Sequence, residues 1–438
     1  MRIGRRMVTG GLAAASLLAA LPGTTAAADG GAVNAGDTAW LLVATAMVMV
    51  MLPGLALFYG GLVRRKNVLS TIMHSFFGLA LVSVVWVLIG FSLAFGKDVG
   101  GFGLIGGLDF VGFVNVGLVP SATYAPTIPF VLFAAFQLMF AAITPALVSG
   151  AYAERKRFGA FVLFTLLWSV LVYSPVAHWV WAADGWLFRA GTLDFAGGTV
   201  VHASSGVSAL IVALLIGRRA VSGEAMEPHD IPMTVLGAGL LWFGWFGFNA
   251  GSALAANGLA ANALLVTNTA AGAATLTWVL ASYLHKRKVS VLGAACGAVA
   301  GLVAITPASG FVTAGGALVI GLAVGVICYS ATLLRERLRI DDALDVFAVH
   351  GVGGTFGAIA TGVFATTAIN AAGRGLIDGN PGQVLTQALG VGATIAYAVV
   401  ATFVIVKVVD LVLGLRVAAH EEEVGLDLSV HGEVAYQV

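Results

Sequence analysis

Residues 199–206 of this chain read TVVHASSG, and residues 349–354 read VHGVGG. Each stretch places a histidine, His202 or His350, close to the start of a long apolar run. An ionisable side chain within a membrane segment is rare, because the bilayer penalises charge, and it usually faces a pathway or a partner. The two histidines are therefore the first candidates for a functional site.

The composition is typical of a membrane protein. Of the 438 residues, 59% are hydrophobic and only 10% are charged, whereas a soluble domain carries about 25% charged residues. Apolar runs of roughly 20 residues, the length of a helix that crosses a bilayer, follow one another along the chain. We therefore predict an all-α polytopic membrane protein with about eleven transmembrane helices. The predicted spans lie near 39–62, 69–95, 129–150, 158–181, 199–217, 231–253, 262–284, 289–306, 316–334, 350–368 and 386–413.

The N-terminus has the pattern of a secretory signal peptide, with the basic MRIGRRM, an apolar stretch and the small-residue TTAAADG. We expect residues 1–28 to be this signal peptide, 29–415 the transmembrane domain and 416–438 a polar tail. Lys and Arg concentrate in the loops after the odd-numbered spans, which predicts that those loops are cytoplasmic. The mature N-terminus would then lie outside the cell membrane and the C-terminus in the cytoplasm.

The two histidine motifs suggest internal symmetry. VHASSG opens the fifth predicted span from outside, and VHGVGG opens the tenth from inside. Two five-span halves of opposite orientation indicate an inverted repeat with a substrate path near the midplane. We predict a 5+5 inverted repeat followed by one final long helix.

Each histidine has two interpretations. It is either a neutral side chain that bonds a nearby carbonyl or part of a shared pathway, and the matching positions favour the pathway. Touching imidazoles can relay a proton, because one nitrogen donates while the other accepts. Asp194 and Asp345 lie just before the two helices, so we predict mainly helix caps, with added negative potential at the outer end from Asp194. We expect Asp341 and Asp342, which lie beside the basic face, to be solvated charges.

Aromatic segments gather near the outer ends of three spans. They contain Phe136 in AAFQLMFAAIT, Trp181 in HWVWAADGW, and Trp245, Phe248 and Ser252 in GWFGFNAGSA. An interfacial aromatic belt is one interpretation. The other is a cation site, because the face of a tryptophan ring attracts a partly dehydrated cation.

Ordinary catalysis is not indicated. The sequence has no nucleophile elbow, no phosphate loop and no HExxH motif. A net charge of +1 gives no reason to expect nucleic-acid binding, and Cys296 and Cys328 are expected to be buried free thiols. We expect no enzymatic activity, no cofactor and no metal site. A membrane enzyme with a histidine-centred metal site is the alternative.

Together these segments resemble the ammonium transporter family (Amt/Mep, related to the Rhesus proteins). The segments that carry the resemblance are ALFYGGLVRRKNVLS, AFQLMFAAIT, DFAGGTVVHASSG, GWFGFNAGSA, DDALDVFAVHG and GLDLSVHGEVAY. The resemblance implies eleven helices and a homotrimer with one pore per subunit. It also implies an outer ammonium site (Phe136, Trp181, Ser252), a stacked gate (Phe136, Phe248), paired pore histidines (His202, His350), a pore-lining Trp245 and a supporting Asp194.

The implied mechanism is ammonium binding, deprotonation and passage of ammonia beside the histidines, with methylammonium as an analogue. If the proton returns outside, the protein is a passive gas channel; if it crosses through the histidine pair, transport carries net charge, which we favour. The tail at 425–436 resembles a segment that meets a PII-type nitrogen regulator. Alternatively, the tail is disordered and acidic, or it signals for an ammonium sensor.

Overall fold

The computed structural model describes residues 31–220 and 226–437, so the expected signal peptide lies outside the described residues. Within the described part, ten helices are long and apolar enough to cross a membrane, and one further apolar helix is shorter. They are α1 (Ala35–Leu62), α2 (Arg65–Phe95), α3 (Phe130–Tyr152), α4 (Phe158–Arg189), α5 (Gly198–Ile216), α6 (Ile231–Gly251), α7 (Gly258–Lys286), α8 (Val291–Ile305), α9 (Ala314–Arg337), α10 (Phe347–Phe364) and α11 (Gly382–Leu413).

The eleven helices correspond one to one with the predicted spans, which confirms the all-α polytopic fold. The exception in length is α8, which has 15 residues. At 1.5 Å per residue it covers only about 22 Å, less than a bilayer core of about 30 Å. Residues 306–313 continue from it as turns, and the Phe195 N–H donates to the carbonyl of Pro307 in that segment. α8 is therefore a buried partial span rather than a full one.

Alternate helix ends define two faces of the bundle. We call one the tail face; it comprises the connections 63–64, 153–157, 287–290 and 338–346, the described residues 217–220 and 226–230, and residues 414–437. We call the other the loop face; it comprises 96–129, 190–197, 252–257, 306–313 and 365–381. Most of the described arginines and lysines outside the helices lie on the tail face.

The long connection 96–129 packs over the loop face. Its end forms a small antiparallel hairpin of β1 (Pro120–Ser121) and β2 (Ala125–Pro129). The Tyr124 ring stacks on that of Phe133 in α3, with centroids 5.6 Å apart and an interplanar angle of 16°. The connection is thereby fixed beside the loop-face end of α3.

The tail face contains a buried ion network around Glu154. Its carboxylate accepts hydrogen bonds from the Arg64 backbone N–H at 2.7 Å, Asn67 Nδ2 at 3.0 Å and Arg219 Nη1 at 2.8 Å. Burial raises the pKa of Glu154, but the charges of Arg219 and Arg64 outweigh it and hold the pKa below its usual range. Arg219 also pairs with Asp341 at 2.7 Å, so the expectation that Asp341 is solvated is wrong.

The tail packs on this network, so the described part of the tail is not the disordered segment of the alternative interpretation. The Asp427 carboxylate accepts the N–H groups of Leu69 at 3.0 Å and Ser70 at 2.8 Å, at the start of α2. The side chain of Glu422 is buried, and Arg416 Nη2 donates to it at 3.0 Å. Free N–H groups at a helix start favour a carboxylate, which explains why an acidic segment binds here.

Asp427→Ala should loosen the tail, because it leaves two N–H groups at the start of α2 without partners. Loss of such a cap costs about 1 kcal/mol, which corresponds to roughly fivefold faster opening. Hydrogen exchange of backbone amides in residues 415–437 measures this opening. Glu433→Ala, which removes an exposed carboxylate from the same segment, is the matched control and should leave exchange unchanged. Equal protection in the two variants would contradict the capping role.

Candidate functional site

A cavity of about 280 Å³ opens on the loop face. Phe140, Trp181 and Ser252 line it, together with Tyr124 and Gln137. The Trp181 indole N–H donates to the Asp194 carbonyl at 2.9 Å, which fixes the ring. The Ser252 hydroxyl donates to the Phe248 carbonyl at 2.9 Å, so its oxygen lone pairs remain available as acceptors. The cavity thus combines aromatic rings with a hydroxyl acceptor.

The rings of Phe140 and Phe248 separate this cavity from the space below it. Their centroids are 4.2 Å apart with an interplanar angle of 36°. Phe140 lines the loop-face cavity, whereas Phe248 lines the space below it. Phe136 lines neither space; it is fully buried, with its centroid 4.9 Å from that of Phe140. The assignment of Phe136 to the cavity and to the stacked pair is therefore corrected to Phe140.

Below the two rings lies a narrow segment that we call the histidine passage, lined by Phe248, Trp245, His202, His350 and apolar residues that include Ile143 and Val299. The free volume of this passage is only about 10 Å³. That is the room of about one water-sized molecule, and the lining offers few polar partners. A small neutral molecule fits such a passage better than a hydrated ion.

The two histidines meet in this passage. The Nδ1 atoms of His202 and His350 are 3.2 Å apart, and the rings lie 5.2 Å apart at 30°. One Nδ1 donates and the other accepts, with the tautomer set by where the proton resides. The second ring nitrogen of His202, Nε2, is buried and has no hydrogen-bond partner among the described residues. It is therefore free to bond a molecule in the passage.

The Trp245 ring also contacts the His202 ring. The two rings stack with centroids 5.4 Å apart at 29°. The Trp245 indole N–H donates to the Thr306 hydroxyl at 2.8 Å, on the segment after α8. Trp245 thus lines the histidine passage and also restrains the imidazole.

A third cavity, of about 270 Å³, reaches the tail face. His350 and Tyr59 line both this cavity and the histidine passage, whereas His202 lines only the passage. Asp345 and Glu336 lie at the wall of the tail-face cavity. The three spaces follow one another from the loop face to the tail face, and His350 is the histidine nearer to the tail face.

The histidine-bearing helices begin in matching ways. Each starts with a π-helical segment, Gly198–Ala203 in α5 and Phe347–Val352 in α10, and such turns concentrate at functional sites. The Asp194 carboxylate accepts the N–H groups of Gly197, Gly198, Thr199 and Val200 at 2.7 to 3.0 Å. Asp194 is therefore a helix cap, as predicted. Burial raises its pKa, and the four N–H groups oppose that rise.

The counterpart of Asp194 is Asp342, and the prediction that Asp345 fills this position is wrong. Asp342 Oδ2 accepts the Phe347 N–H at 2.7 Å, and the residue is fully buried, so the expectation that Asp342 is solvated is wrong. Asp345 adopts a φ of 56° and turns away to pair with Arg335 at 2.5 Å. The spacing carried the missed signal, because Asp342 precedes His350 by eight residues, as Asp194 precedes His202.

The carboxyl group of Asp342 is buried close to a second carboxylate, which is unusual for a helix cap. Burial, together with the negative charge of Asp345, raises the pKa of Asp342 to about 6, although the Phe347 N–H and Arg335 oppose the rise. Its second oxygen, Oδ1, has no hydrogen-bond partner among the described residues.

No group of three or more histidine, cysteine or acidic side chains suited to a metal ion occurs in residues 31–220 or 226–437.

The profile of the Ammonium Transporter Family matches residues 39–436. The chain belongs to this family. An ammonium transporter of Bacillus subtilis is 52% identical over 404 residues, which cover 92% of this chain and 98% of the relative. The ammonium transporter Amt1 of Archaeoglobus fulgidus is 48% identical over 402 residues, covering 92% of this chain and 99% of the relative.

Solved structures of the family share the fold. Mep2 of Saccharomyces cerevisiae superposes with a TM-score of 0.83 at 40% identity, over 89% of this chain and 88% of that one. A structure described as a sensor Amt protein superposes with a TM-score of 0.83 at 31% identity, over 90% of this chain and 98% of that one. The chain is thus a multi-pass membrane protein of the ammonium transporter family.

Asp342→Asn should change how stability depends on pH. The carboxyl has a pKa of about 6 in the folded protein and about 3.9 when unfolded, so the folded state holds the proton more tightly. Ionisation therefore removes stability as pH rises from about 4 to about 6, on the order of 1–3 kcal/mol, and the amide lacks this loss. Thermal unfolding of the detergent-solubilised protein from pH 4 to 8 measures it.

The control for this measurement is Asp341→Asn. Burial raises the pKa of Asp341, but hydrogen bonds and charge from Arg219 outweigh it and lower the pKa to about 2. Its stabilisation is therefore present above about pH 4 and lost only below it. A difference between wild type and Asp342→Asn that stays constant from pH 4 to 8 would contradict the assignment.

Proposed function

We propose that the chain imports ammonium across the cell membrane as ammonia plus a separately transferred proton. The observation that carries the proposal is the contact of His202 and His350 in a narrow passage between two open cavities. The loop face would lie outside the cell and the tail face in the cytoplasm, which agrees with the concentration of arginine and lysine on the tail face.

Recruitment takes place in the loop-face cavity. Trp181 and Phe140 present rings whose centroids are 5.9 Å apart at an angle of 88°. A cation between such rings is attracted by their quadrupoles, and the attraction increases as water is excluded. The Ser252 oxygen accepts one N–H of ammonium. Ammonium is preferred over sodium here because it can donate that hydrogen bond.

Passage requires the loss of charge. An ion in an apolar segment costs several kcal/mol or more, and the space between Phe248 and His350 leaves no room for a hydration shell. Ammonium avoids this cost by releasing a proton, after which ammonia passes the Phe140–Phe248 pair and bonds to the imidazoles. Potassium has no proton to release, so it is excluded.

The proton crosses through the histidine pair. His202 Nε2 faces the passage, the Nδ1 atoms share one hydrogen bond, and His350 borders the tail-face cavity. Imidazole relays protons by accepting on one nitrogen and donating from the other. Net charge therefore moves with each ammonia. A passive gas channel remains the alternative, and it differs only in returning the proton outside.

The remaining parts of the proposal concern processing and partners. Residues 1–28 act as a signal peptide, the chain forms a homotrimer in the lipid bilayer, and the tail offers a contact for a PII-type regulator. A sensor role is a second candidate, supported by the likeness to the sensor Amt structure and by the ordered, packed tail. Deletion of residues 416–438 that abolishes a nitrogen response but spares uptake would favour the sensor.

His202→Ala should abolish the current that follows an ammonium jump in proteoliposomes, because it removes the first member of the relay. The wild type should give a transient inward current that saturates with ammonium and is absent with potassium. His285→Ala, which changes a histidine at the tail-face end of α7, should keep the current. Ammonia entry through the wild type without charge movement would contradict the electrogenic proposal and favour the gas channel.

Phe140→Ala and Phe136→Ala should differ in methylammonium uptake. Phe140→Ala removes a ring from both the recruitment cavity and the stacked pair, so the half-saturating concentration should rise by roughly fivefold or more, as expected for a lost cation–π contact of about 1 kcal/mol. Phe136→Ala removes a ring behind the cavity, which lowers thermal stability through packing while recruitment stays within about twofold. A larger rise in the half-saturating concentration in Phe136→Ala than in Phe140→Ala would show that Phe136, and not Phe140, belongs to the recruitment site.

A further inference from the structure

Two glycines lie where α5 crosses α10, directly beside the histidine pair. We propose that Gly206 and Gly354 are positioning residues that set the spacing of His202 and His350 by allowing backbone contact between their helices. This inference rests on the proposed proton relay, and it concerns the residues that keep the two histidines in contact.

Gly206 of α5 lies against the backbone of α10. A Cβ atom at Gly206 would stand 2.0 Å from the Gly351 nitrogen and 2.7 Å from the His350 carbonyl carbon. Non-bonded carbon atoms pack at about 3.5–4.0 Å. These neighbours are main-chain atoms, which cannot rotate out of the way. Any side chain at Gly206 would therefore push α10 away.

Gly354 of α10 makes the reciprocal contact with α5. A Cβ atom there would stand 2.7 Å from the His202 Cβ atom and 2.9 Å from both the Ala203 nitrogen and the Gly198 carbonyl oxygen. Each glycine therefore packs on the segment that carries the other helix's histidine. The contact is mutual, as the inverted repeat leads one to expect.

The spacing of the two glycines explains why they act on the histidines. Gly206 follows His202 by four residues, and Gly354 follows His350 by four residues. Residues four apart lie on the same face of a helix, one turn above the other. The face that presents each imidazole is thus the face that touches the other helix. The neighbouring Gly353 faces elsewhere, where its nearest atoms are Cys328 Sγ at 3.2 Å and Val303 Cγ1 at 3.4 Å.

The histidine contact has little tolerance for separation. The Nδ1–Nδ1 distance of 3.2 Å is already at the long end of the range for hydrogen bonds. A methyl group at either glycine would move the helices apart by roughly 1 Å if carbon contacts return to their usual distance. That change breaks the hydrogen bond. His202 Nε2, buried and without a partner in the described chain, would then face the passage with no connection to His350.

The first test compares Gly354→Ala with Gly353→Ala in the full-length protein. In one proteoliposome preparation, the charge moved and the methylammonium taken up are measured together. Gly354→Ala should lower the charge per methylammonium by roughly fivefold or more, the effect of losing one hydrogen bond. The half-saturating methylammonium concentration of Gly354→Ala should stay within about twofold of wild type, because the substitution does not touch the loop-face cavity. The control Gly353→Ala should keep the wild-type charge per methylammonium and the wild-type half-saturating concentration. An unchanged charge ratio in Gly354→Ala overturns the proposal.

A graded variant covers the case in which Gly354→Ala does not fold. A Cβ atom at Gly351 would meet the Phe347 ring of its own helix at 2.8 Å and the Gly206 carbonyl carbon at 3.3 Å, so Gly351→Ala forces a smaller separation. The charge moved per methylammonium should be highest in Gly353→Ala, lower in Gly351→Ala and lowest in Gly354→Ala. A decrease in Gly353→Ala as large as that in Gly351→Ala overturns the proposal.

A second readout separates this proposal from the proposed function. Nitrogen-15 NMR of labelled histidine reports whether the two Nδ1 atoms share a proton, independently of transport. If wild type moves no charge, the relay fails as a function, yet loss of the shared-proton signal in Gly351→Ala or Gly354→Ala still supports the positioning role. Wild-type signals in both variants overturn it.

Discussion

The close crossing of α5 and α10 is the constraint on which the rest of the molecule depends. A bilayer does not tolerate a bare ion at its centre, so a path for ammonium needs a passage that is narrow, dry and lined by neutral hydrogen-bonding groups. Two imidazoles in contact meet that need only if their helices approach to backbone distance. The glycine contacts at Gly206 and Gly354 supply this approach, and small residues serve the same purpose in membrane helices generally.

The other elements fix this crossing from both faces. Asp194 holds the start of α5 with four N–H bonds on the loop face, and Asp342 holds the start of α10 on the tail face. Because the two helices enter from opposite faces, their histidines meet midway. The charged network around Glu154 and the packed tail then stabilise the connections at the tail face.

The large-scale features could be predicted from the sequence because they depend on hydropathy and on repetition. The eleven helices follow from apolar runs of bilayer length, and the histidine pair follows from two similar motifs at matching places in the two halves. Phe136 and Phe140 could not be separated in this way, since residues four apart share a helix face and the same periodicity fits both. The turn at Asp345 hid the cap at Asp342, because a left-handed φ at one residue is not visible in composition.

Lys156 shows, within the same fold, what burial does to an ammonium group. Its Nζ atom lies 3.7 Å from the Tyr152 ring centroid and 4.0 Å from that of Phe164, and it has no hydrogen-bond partner among the described residues. Burial lowers the pKa of Lys156 well below its usual range. Aromatic rings thus receive a dehydrated ammonium group, while the loss of water favours release of its proton. The same two effects, in sequence, are what the rings of Trp181 and Phe140 and the passage beneath them would impose on free ammonium.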